Sequence, residues 1–529
     1  MSFKVLLLDN VDPVCAEVFK ERGIEADQPV KLTEDELFSR IGEYHGLVVR
    51  SATTVTKELL SKADNLRVIG RAGVGVDNID IPASTTKGVL VMNTPDGNTI
   101  STAEHTCGMI ISLARNIPKA VATVKGGGWD RKKYMGSEVH GKKLGIIGLG
   151  KIGSEVAKRM KTFGMDVIAY DPFSTKETAA NLGVQLLDID EVLAQSDFLT
   201  VHTPLTEKTK GLVSLKNADK LKKGIRLVNC ARGGIYEEAD LPALLDNGTI
   251  CAVALDVYSQ EPPSEELYKV LEHPDIICTP HLGASTEEAQ EKVAEQIAEQ
   301  ISDALEFKNF KGSLNGKSIA LLTNKEVQPY LTLAENLGEL AVQLSPEHAS
   351  SVEFEYSGAC AKFADVLTDG ILKGMLSNYV DDAVNLINAR HYANERGFSI
   401  KEVLTNKEKS HADLVTIKFA DGAEYRSISA AVFGENDYRI VQIDSYGIEL
   451  RLEGDIILYQ NEDKPGMLAS VSGAFAEQGI NIGALGLGRT EKGSNAITAF
   501  TIDKKLDSDE LAAIKNLDGI KHVRYVSFS

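Results

Sequence analysis

The chain has 529 residues, a hydrophobic fraction of 43% and a formal net charge of -19. That length exceeds what one hydrophobic core supports, so three or four domains are expected. The acidic balance excludes bulk binding to nucleic acid or to an anionic membrane, and no apolar run is long enough to span a bilayer, but a small anionic substrate in a local basic pocket stays open.

The N-terminal "MSFKVLLLDN" has too short an apolar run for a signal peptide and reads as a first β-strand. "HGLVVRS", "LRVIGRAGVGVDNID" and "GVLVMNTP" continue as βα units over the first 100 residues. Arg50 and Arg71 fall near the ends of two of these strands. Further on, "WDRKKYMGSEV" places Arg131, Lys132 and Lys133 beside the chain's one tryptophan. Three adjacent cations on an acidic protein read as an anion site or as a solvated basic loop. The six cysteines (Cys15, Cys107, Cys230, Cys251, Cys278, Cys360) form no C-x-x-C pair. No disulfide scaffold or metal site is expected, and a reducing cytoplasm is the simplest setting.

"KKLGIIGLGKIGSEVAKRM" carries Gly148, Gly150 and Gly153 as G-x-G-x-x-G. "KLGIIG" suits a buried parallel strand. Ile152, Val156, Ala157, Met160 and Phe163 then recur at near-helical spacing, and "DVIAYDP" reads as the next strand. Strand, glycine turn, helix and strand fit within about 30 residues, as a dinucleotide-binding unit requires. Asp171 ends the second strand, where an acid binds a ribose 2′-hydroxyl and repels a 2′-phosphate.

The strands "DFLTVHTPL", "IRLVNCARGG", "CAVALDVY" and "DIICTPHLG" follow, ending in Thr203, Arg232, Asp256 and His281. Ligands of doubly wound sheets bind at the carboxyl ends of strands, so these polar groups converge on one crevice. The Arg232 guanidinium can hold a carboxylate in bidentate fashion and polarise a neighbouring carbonyl. His281 can exchange the proton of a hydroxyl that becomes a carbonyl by losing hydride. Glu261 in "DVYSQEPP" is placed to fix the tautomer of that histidine. His202 reads as structural or cofactor-adjacent.

"STEEAQEKVAEQIAEQISDALEF" is a helix and "FKNFKGSLNGKS" a linker. Beyond it, helical patterns ("ENLGELAVQL", "DDAVNLINARHYANERG") mix with strands ("SVEFEYSG", "ADLVTIKFA", "YRIVQIDSYGIEL") and no catalytic constellation is visible. In the last 75 residues "GDIILYQNED" is a strand. The helix "KPGMLASVSGAFAEQG" follows, with Pro465 at its start and Met467, Leu468, Val471, Ala474 and Phe475 on one face. "INIGALGLGRT", "NAITAFTID", "SDELAAIKNL" and "GIKHVRYVSF" complete a βαββαβ order.

The succession "GLGKIG", "YDP", "HTPLT", "NCARGG", "DVYSQEPP", "TPHLGAST" resembles the D-isomer-specific 2-hydroxyacid dehydrogenases. The resemblance implies an α/β chain. An NAD-binding Rossmann domain (100–282) is inserted in a flavodoxin-like substrate or lid domain (1–99 and 283–311). An α+β intervening domain (317–450) and a ferredoxin-like ACT regulatory domain (454–529) follow. This order is similar to the long-form branch that acts on 3-phosphoglycerate. It implies NAD as cofactor, held by Gly148, Gly150, Lys151, Ile152, Gly153, Asp171, Thr203, Cys230, Ala231 and Asp256, the last on the nicotinamide carboxamide. It implies His281 as acid/base paired with Glu261, and Arg232 on the substrate carboxylate and carbonyl. Arg50, Arg71 and Arg131, the last reaching over from a neighbouring subunit, are implied at the substrate phosphate. ACT domains bind amino acids at subunit interfaces, so Asn461, Asp463 and Asn481 are implied as effector ligands, L-serine being the candidate. A homotetramer is implied by the same likeness. A glyoxylate or hydroxypyruvate reductase, and an NAD-sensing regulator on the same fold, stay open as alternatives.

Overall fold

A computed structural model describes residues 3–528 apart from 317, 378–379, 381–382, 406–412, 421, 424 and 435. The first sheet is parallel and joins β1 (Lys4–Leu7), β2 (Glu25–Asp27), β3 (Gly46–Val49), β4 (Val68–Arg71) and β5 (Leu90–Asn93) in the order β2-β1-β3-β4-β5. β3 is buried along its whole length, which is why it reads as a continuous apolar run. The helix Glu287–Leu305, distant in sequence, closes this unit. Its Val293, Ala294, Ile297 and Ile301 share one core with Val5, Leu7, Val48 and Val68.

Between the two halves of that unit runs a seven-stranded parallel sheet. It comprises β6 (Lys143–Ile147), β7 (Asp166–Tyr170), β8 (Gln185–Leu186), β9 (Phe198–Val201), β10 (Ile225–Asn229), β11 (Ile250–Leu255) and β12 (Ile276–Cys278). The order β12-β11-β10-β9-β6-β7-β8 reverses direction at β6 and β9, which makes their carboxyl ends the ligand crevice. Outward and return passages of the chain are tied together: Ser101 Oγ and Thr102 Oγ1 both donate to the Gly283 carbonyl, at 2.6 and 3.1 Å. Phe163, expected on the buried face of the helix Lys151–Thr162, instead caps its end and is 52% exposed.

The third sheet has the order β14-β13-β15-β16-β17-β18. Its strands are β13 (Ser351–Ser357), β14 (Ser399–Thr405), β15 (Leu414–Phe419), β16 (Ser427–Gly434), β17 (Asp437–Ile443) and β18 (Tyr446–Arg451). The single strand expected over "YRIVQIDSYGIEL" is two. Asp444 takes a left-handed φ of 52°, and its carboxylate accepts from the Arg426 and Ser427 amides. The helix expected over 381–397 is confined to Ala389–Glu395, and residues 381–382 lie outside the described residues. Asn385 and Asn388 take backbone amides with their own side chains, an alternative to helix that holds this segment in a turn.

The fourth sheet, β20-β21-β19-β22, is antiparallel. It joins β19 (Asp455–Glu462), β20 (Ile482–Arg489), β21 (Asn495–Ile502) and β22 (Ile520–Ser527). With the helices Met467–Glu477 and Ser508–Lys515 it forms a ferredoxin-like unit. Alternation along its strands serves two cores. Ile457, Tyr459 and Phe500 pack on Val471 and Phe475 of the first helix. Ile456, Leu458, Ile497, Ala499 and Val526 on the opposite face join the core of the preceding unit, with Leu337, Leu340 and Leu344. Leu468, expected on the buried helical face, is 37% exposed. Among the described residues no helix is long and apolar enough to cross a membrane.

Candidate active site

The glycine loop leaves β6 at the switch point. Gly148 adopts φ 95°, and a Cβ on Gly153 would lie 2.1 Å from the Gly148 carbonyl oxygen, so both positions require glycine. Gly150 faces open space. Asp171, at the end of β7, accepts from the Leu149 amide at 2.7 Å and from the Phe173 and Ser174 amides. Its carboxylate is thereby fixed beside the loop. Lys151 begins the helix and pairs with Asp96; Ile152, next to it, is partly buried.

Across the loop, His202 Nδ1 and Thr203 Oγ1 are buried without a hydrogen-bond partner among the described residues. Burial pushes the His202 imidazole down to about 4, so it is neutral at neutral pH. A crevice with a glycine cradle, an aligned helix N-terminus and unsatisfied polar atoms fits a dinucleotide.

Deeper in the crevice Asp256 is fully buried at the end of β11. It accepts from Thr279 Oγ1 (2.6 Å), Leu282 N (2.7 Å) and Gly283 N (2.8 Å), and pairs with His105 Nε2 at 3.2 Å. Burial alone would raise its carboxyl, but the His105 and Thr279 hydrogen bonds and the Leu282 amide hold it below its usual value. His105 was not singled out in the sequence; it lies inside the helix Thr99–Arg115 and carries no motif. Cys230 is buried beside this group, and burial raises its thiol to about 12, which keeps it protonated. The amide of Ala231 is turned inward to Asn229 Oδ1 at 3.0 Å.

A second polar group lies where β10, β11 and β12 finish. His281 Nδ1 is 2.6 Å from Glu261 Oε2, while Glu261 Oε1 accepts from the Tyr258 amide at 3.0 Å. Against the effect of burial, these two bonds hold the Glu261 carboxyl below its ordinary value. The imidazole is half-exposed, and because Nδ1 is engaged by Glu261, Nε2 is the ring nitrogen available to a ligand. Arg232 follows β10; its Nη1 donates to the Ala231 carbonyl at 2.7 Å and its Nε lies 3.5 Å from Asp77, in a loop of the first sheet's unit. The units of the first and second sheets therefore meet at this guanidinium.

From the first sheet, Arg71 extends toward the same place. Burial, together with the positive charges of Arg232 and Arg50, pushes its guanidinium down to about 10 against the pull of Asp77. Its Nε is buried without a hydrogen-bond partner among the described residues. Arg50 is held by its amide to Asp9 (2.7 Å) and reaches Gln290 at 3.4 Å. A buried guanidinium set against the charges of two others makes a place for an anion.

Residues 107–283 match the NAD binding domain of the D-isomer specific 2-hydroxyacid dehydrogenases. Residues 326–444 match the D-3-phosphoglycerate dehydrogenase intervening domain, and 456–519 match the ACT domain. The chain is 41% identical to D-3-phosphoglycerate dehydrogenase of Bacillus subtilis over 93% of either chain. It is 39% identical to D-3-phosphoglycerate dehydrogenase of Methanocaldococcus jannaschii over 99% of either chain. The chain belongs to the D-3-phosphoglycerate dehydrogenase family. Its dehydrogenase part is also similar to D-lactate dehydrogenase from Aquifex aeolicus, solved with NAD and lactic acid. That likeness has 25% identity and a TM-score of 0.51, covering 57% of this chain and 95% of that one. The cofactor is NAD.

Two groups of expected ligands are not gathered by one chain of this family member. Arg131, Lys132 and Lys133 are exposed next to Trp129, which is 80% exposed. No contact joins Arg131 to Arg50 or Arg71 among the described residues. In the ACT unit, Asn461 is buried and spent on the Glu462 carbonyl and Thr498. Asp463 accepts from Arg489 and the Gly493 amide, whereas Asn481 donates to Asp503 at the other end of the sheet. The length of β19 separates them, roughly 25 Å at strand rise.

Proposed function

We propose that the chain oxidises 3-phosphoglycerate to 3-phosphohydroxypyruvate with NAD, the step that opens L-serine biosynthesis. The observation that carries this reading is the Arg71 guanidinium, unsatisfied at Nε and set against Arg232 and Arg50. An unphosphorylated 2-hydroxy acid needs one cation for its carboxylate; the further two suit a phosphate.

Arg232 holds the carboxylate and the C2 oxygen, and Arg71 and Arg50 hold the phosphate. Glu261 engages His281 Nδ1, so Nε2 is the atom that takes the C2 hydroxyl proton as the carbonyl forms. NAD supplies the acceptor for the hydride from C2. Glu261 balances the imidazolium that results, and Arg232 stabilises charge growing on the C2 oxygen. Asp256, fixed by His105 and Thr279, would hold the carboxamide end of the cofactor, and Asp171 the ribose. The crevice lies between two units joined at Ser101, Thr102 and Gly283, which gives closure a hinge and the reaction a place away from water.

The same reading divides the chain into a lid (1–99 and 283–311), an NAD domain (100–282), an intervening domain (317–450) and an ACT domain (454–529). It places the enzyme in the cytoplasm, in keeping with six cysteines that form no disulfide. A homotetramer brings Arg131 of one subunit to the lid of another. The helix Ile117–Lys125 supports association, since it buries no residue and leaves Ile117, Val121 and Val124 exposed. Antiparallel pairing of two ACT units would set Asp463 of one beside Asn481 of the other, a site for L-serine.

The test is NADH oxidation with 3-phosphohydroxypyruvate beside hydroxypyruvate at matched concentrations. A strong preference for the phosphorylated acid is expected. Equal rates would overturn the substrate and leave the fold and the His281–Glu261 pair standing.

A further inference from the structure

Glu238 is a carboxylate with 5% of its surface exposed, at the start of a short 3-10 turn after the Arg232 loop. Among the described residues no cation pairs with it. Its partners are backbone and hydroxyl groups on two separate loops. Oε1 accepts from the Gly234 amide at 3.2 Å and from the Ser259 amide at 2.8 Å, and Oε2 from the Ser259 hydroxyl. Gly234 lies two residues beyond Arg232, and Ser259 two residues before Glu261. The loops touch directly as well: a Cβ on Gly233 would sit 1.9 Å from the Tyr258 carbonyl carbon. The Tyr258 amide in turn holds Glu261.

Burying an unpaired carboxylate costs free energy that only complete hydrogen bonding offsets. Two ordinary loops could be packed together without that cost. Here the carboxylate spans the gap between the residue proposed to grip the substrate and the residue proposed to orient the acid/base. We propose that Glu238 is a positioning residue of the dehydrogenase: it bridges the Arg232 loop to the Glu261 loop and so sets the spacing of guanidinium and imidazole. The inference rests on the roles given above to Arg232, Glu261 and His281.

Reach, rather than charge, is the property the bridge needs. Glutamine keeps the length: its carbonyl can accept from the Gly234 and Ser259 amides while its amide donates to the Ser259 hydroxyl. Aspartate keeps the charge but is one methylene short of spanning the loops. In the full-length enzyme, Glu238→Gln should hold kcat within about threefold, and Glu238→Asp should lose about tenfold or more. NADH affinity, read by fluorescence quenching, should stay within about twofold in both, because the glycine loop and Asp171 follow β6 and β7, not the two strands whose loops the bridge joins. A double-mutant cycle separates positioning from general destabilisation. With Glu261→Ala already present, Glu238→Asp should cost less than about threefold further, since the side chain that holds the ring is gone.

Four results overturn the proposal: Asp as active as wild type, Gln as damaging as Asp, a fully multiplicative double mutant, or activity loss that only tracks a loss of folded protein. Glu261→Ala and Arg232→Ala are measured alone in the same series. If those are near normal, the site assignment fails, and that failure is distinguishable from a failure of the bridge.

Discussion

His281 Nδ1 and Glu261 Oε2 stand 2.6 Å apart although the two residues come from different loops, one after β12 and one after β11. The contact fixes which ring nitrogen faces the crevice. His281→Ala should therefore lower kcat by about 10²–10⁴-fold, the range for a lost acid/base. Glu261→Gln should cost less, about 10–100-fold, because a neutral partner still orients the ring. NADH binding, followed by fluorescence, should be retained in both; near-normal turnover would remove the pair from the mechanism.

Arg71 offers a test of substrate rather than chemistry. Arg71→Met should raise KM for 3-phosphohydroxypyruvate by about 100-fold, the loss of one charge-assisted contact to phosphate. The KM for hydroxypyruvate should hardly move. The same variant should melt at a higher temperature without ligand, since it relieves repulsion from Arg232 and Arg50. Parallel changes in both KM values would deny Arg71 the phosphate.

The role proposed for Asp171 is the choice of cofactor. Asp171→Ala should weaken the preference for NAD over NADP by about 10–100-fold in kcat/KM, because the acid that repels a 2′-phosphate is gone. It should also loosen the glycine loop, whose Leu149 amide it holds. An unchanged cofactor ratio with lower overall affinity would restrict Asp171 to the second role.

The acid limb of stability follows from two carboxylates. Glu261 and Asp256 are held below their usual 4.5 and 3.8 by hydrogen bonds that outweigh burial. A depressed carboxyl contributes stability that is present above its unfolded value and lost as pH falls through its folded value. Melting temperatures should be flat down to about pH 5 and fall below it. Glu261→Gln should flatten part of that fall; an identical slope in the variant would mean Glu261 does not contribute.

Much of this site was legible because its strands are short and buried on two faces. "KLGIIG" and "CAVALDVY" could be placed from composition alone, and polar residues at their carboxyl ends had to face the crevice. Phe163 and Leu468 misled because helical spacing does not say where a helix stops or how wide its buried stripe is. β14 carried no signal: it is an edge strand with mostly exposed side chains and no apolar run. His105 and Glu238 were invisible for another reason. Each acts by meeting loops far along the chain, and neither has a local pattern that marks the meeting.

The sheet β19–β22 is covered on one face by its own helices and on the other by the unit before it. Cutting the chain after Glu453 would strip Leu337, Leu340 and Leu344 of their cover and leave a water-facing apolar surface. The C-terminal unit is in this sense a wall of its neighbour, not an appendage. A shortened enzyme that had lost feedback would leave regulation entangled with solubility. The proposed response to an amino acid is better tested by single changes at Asp463 or Asn481, which leave that wall standing.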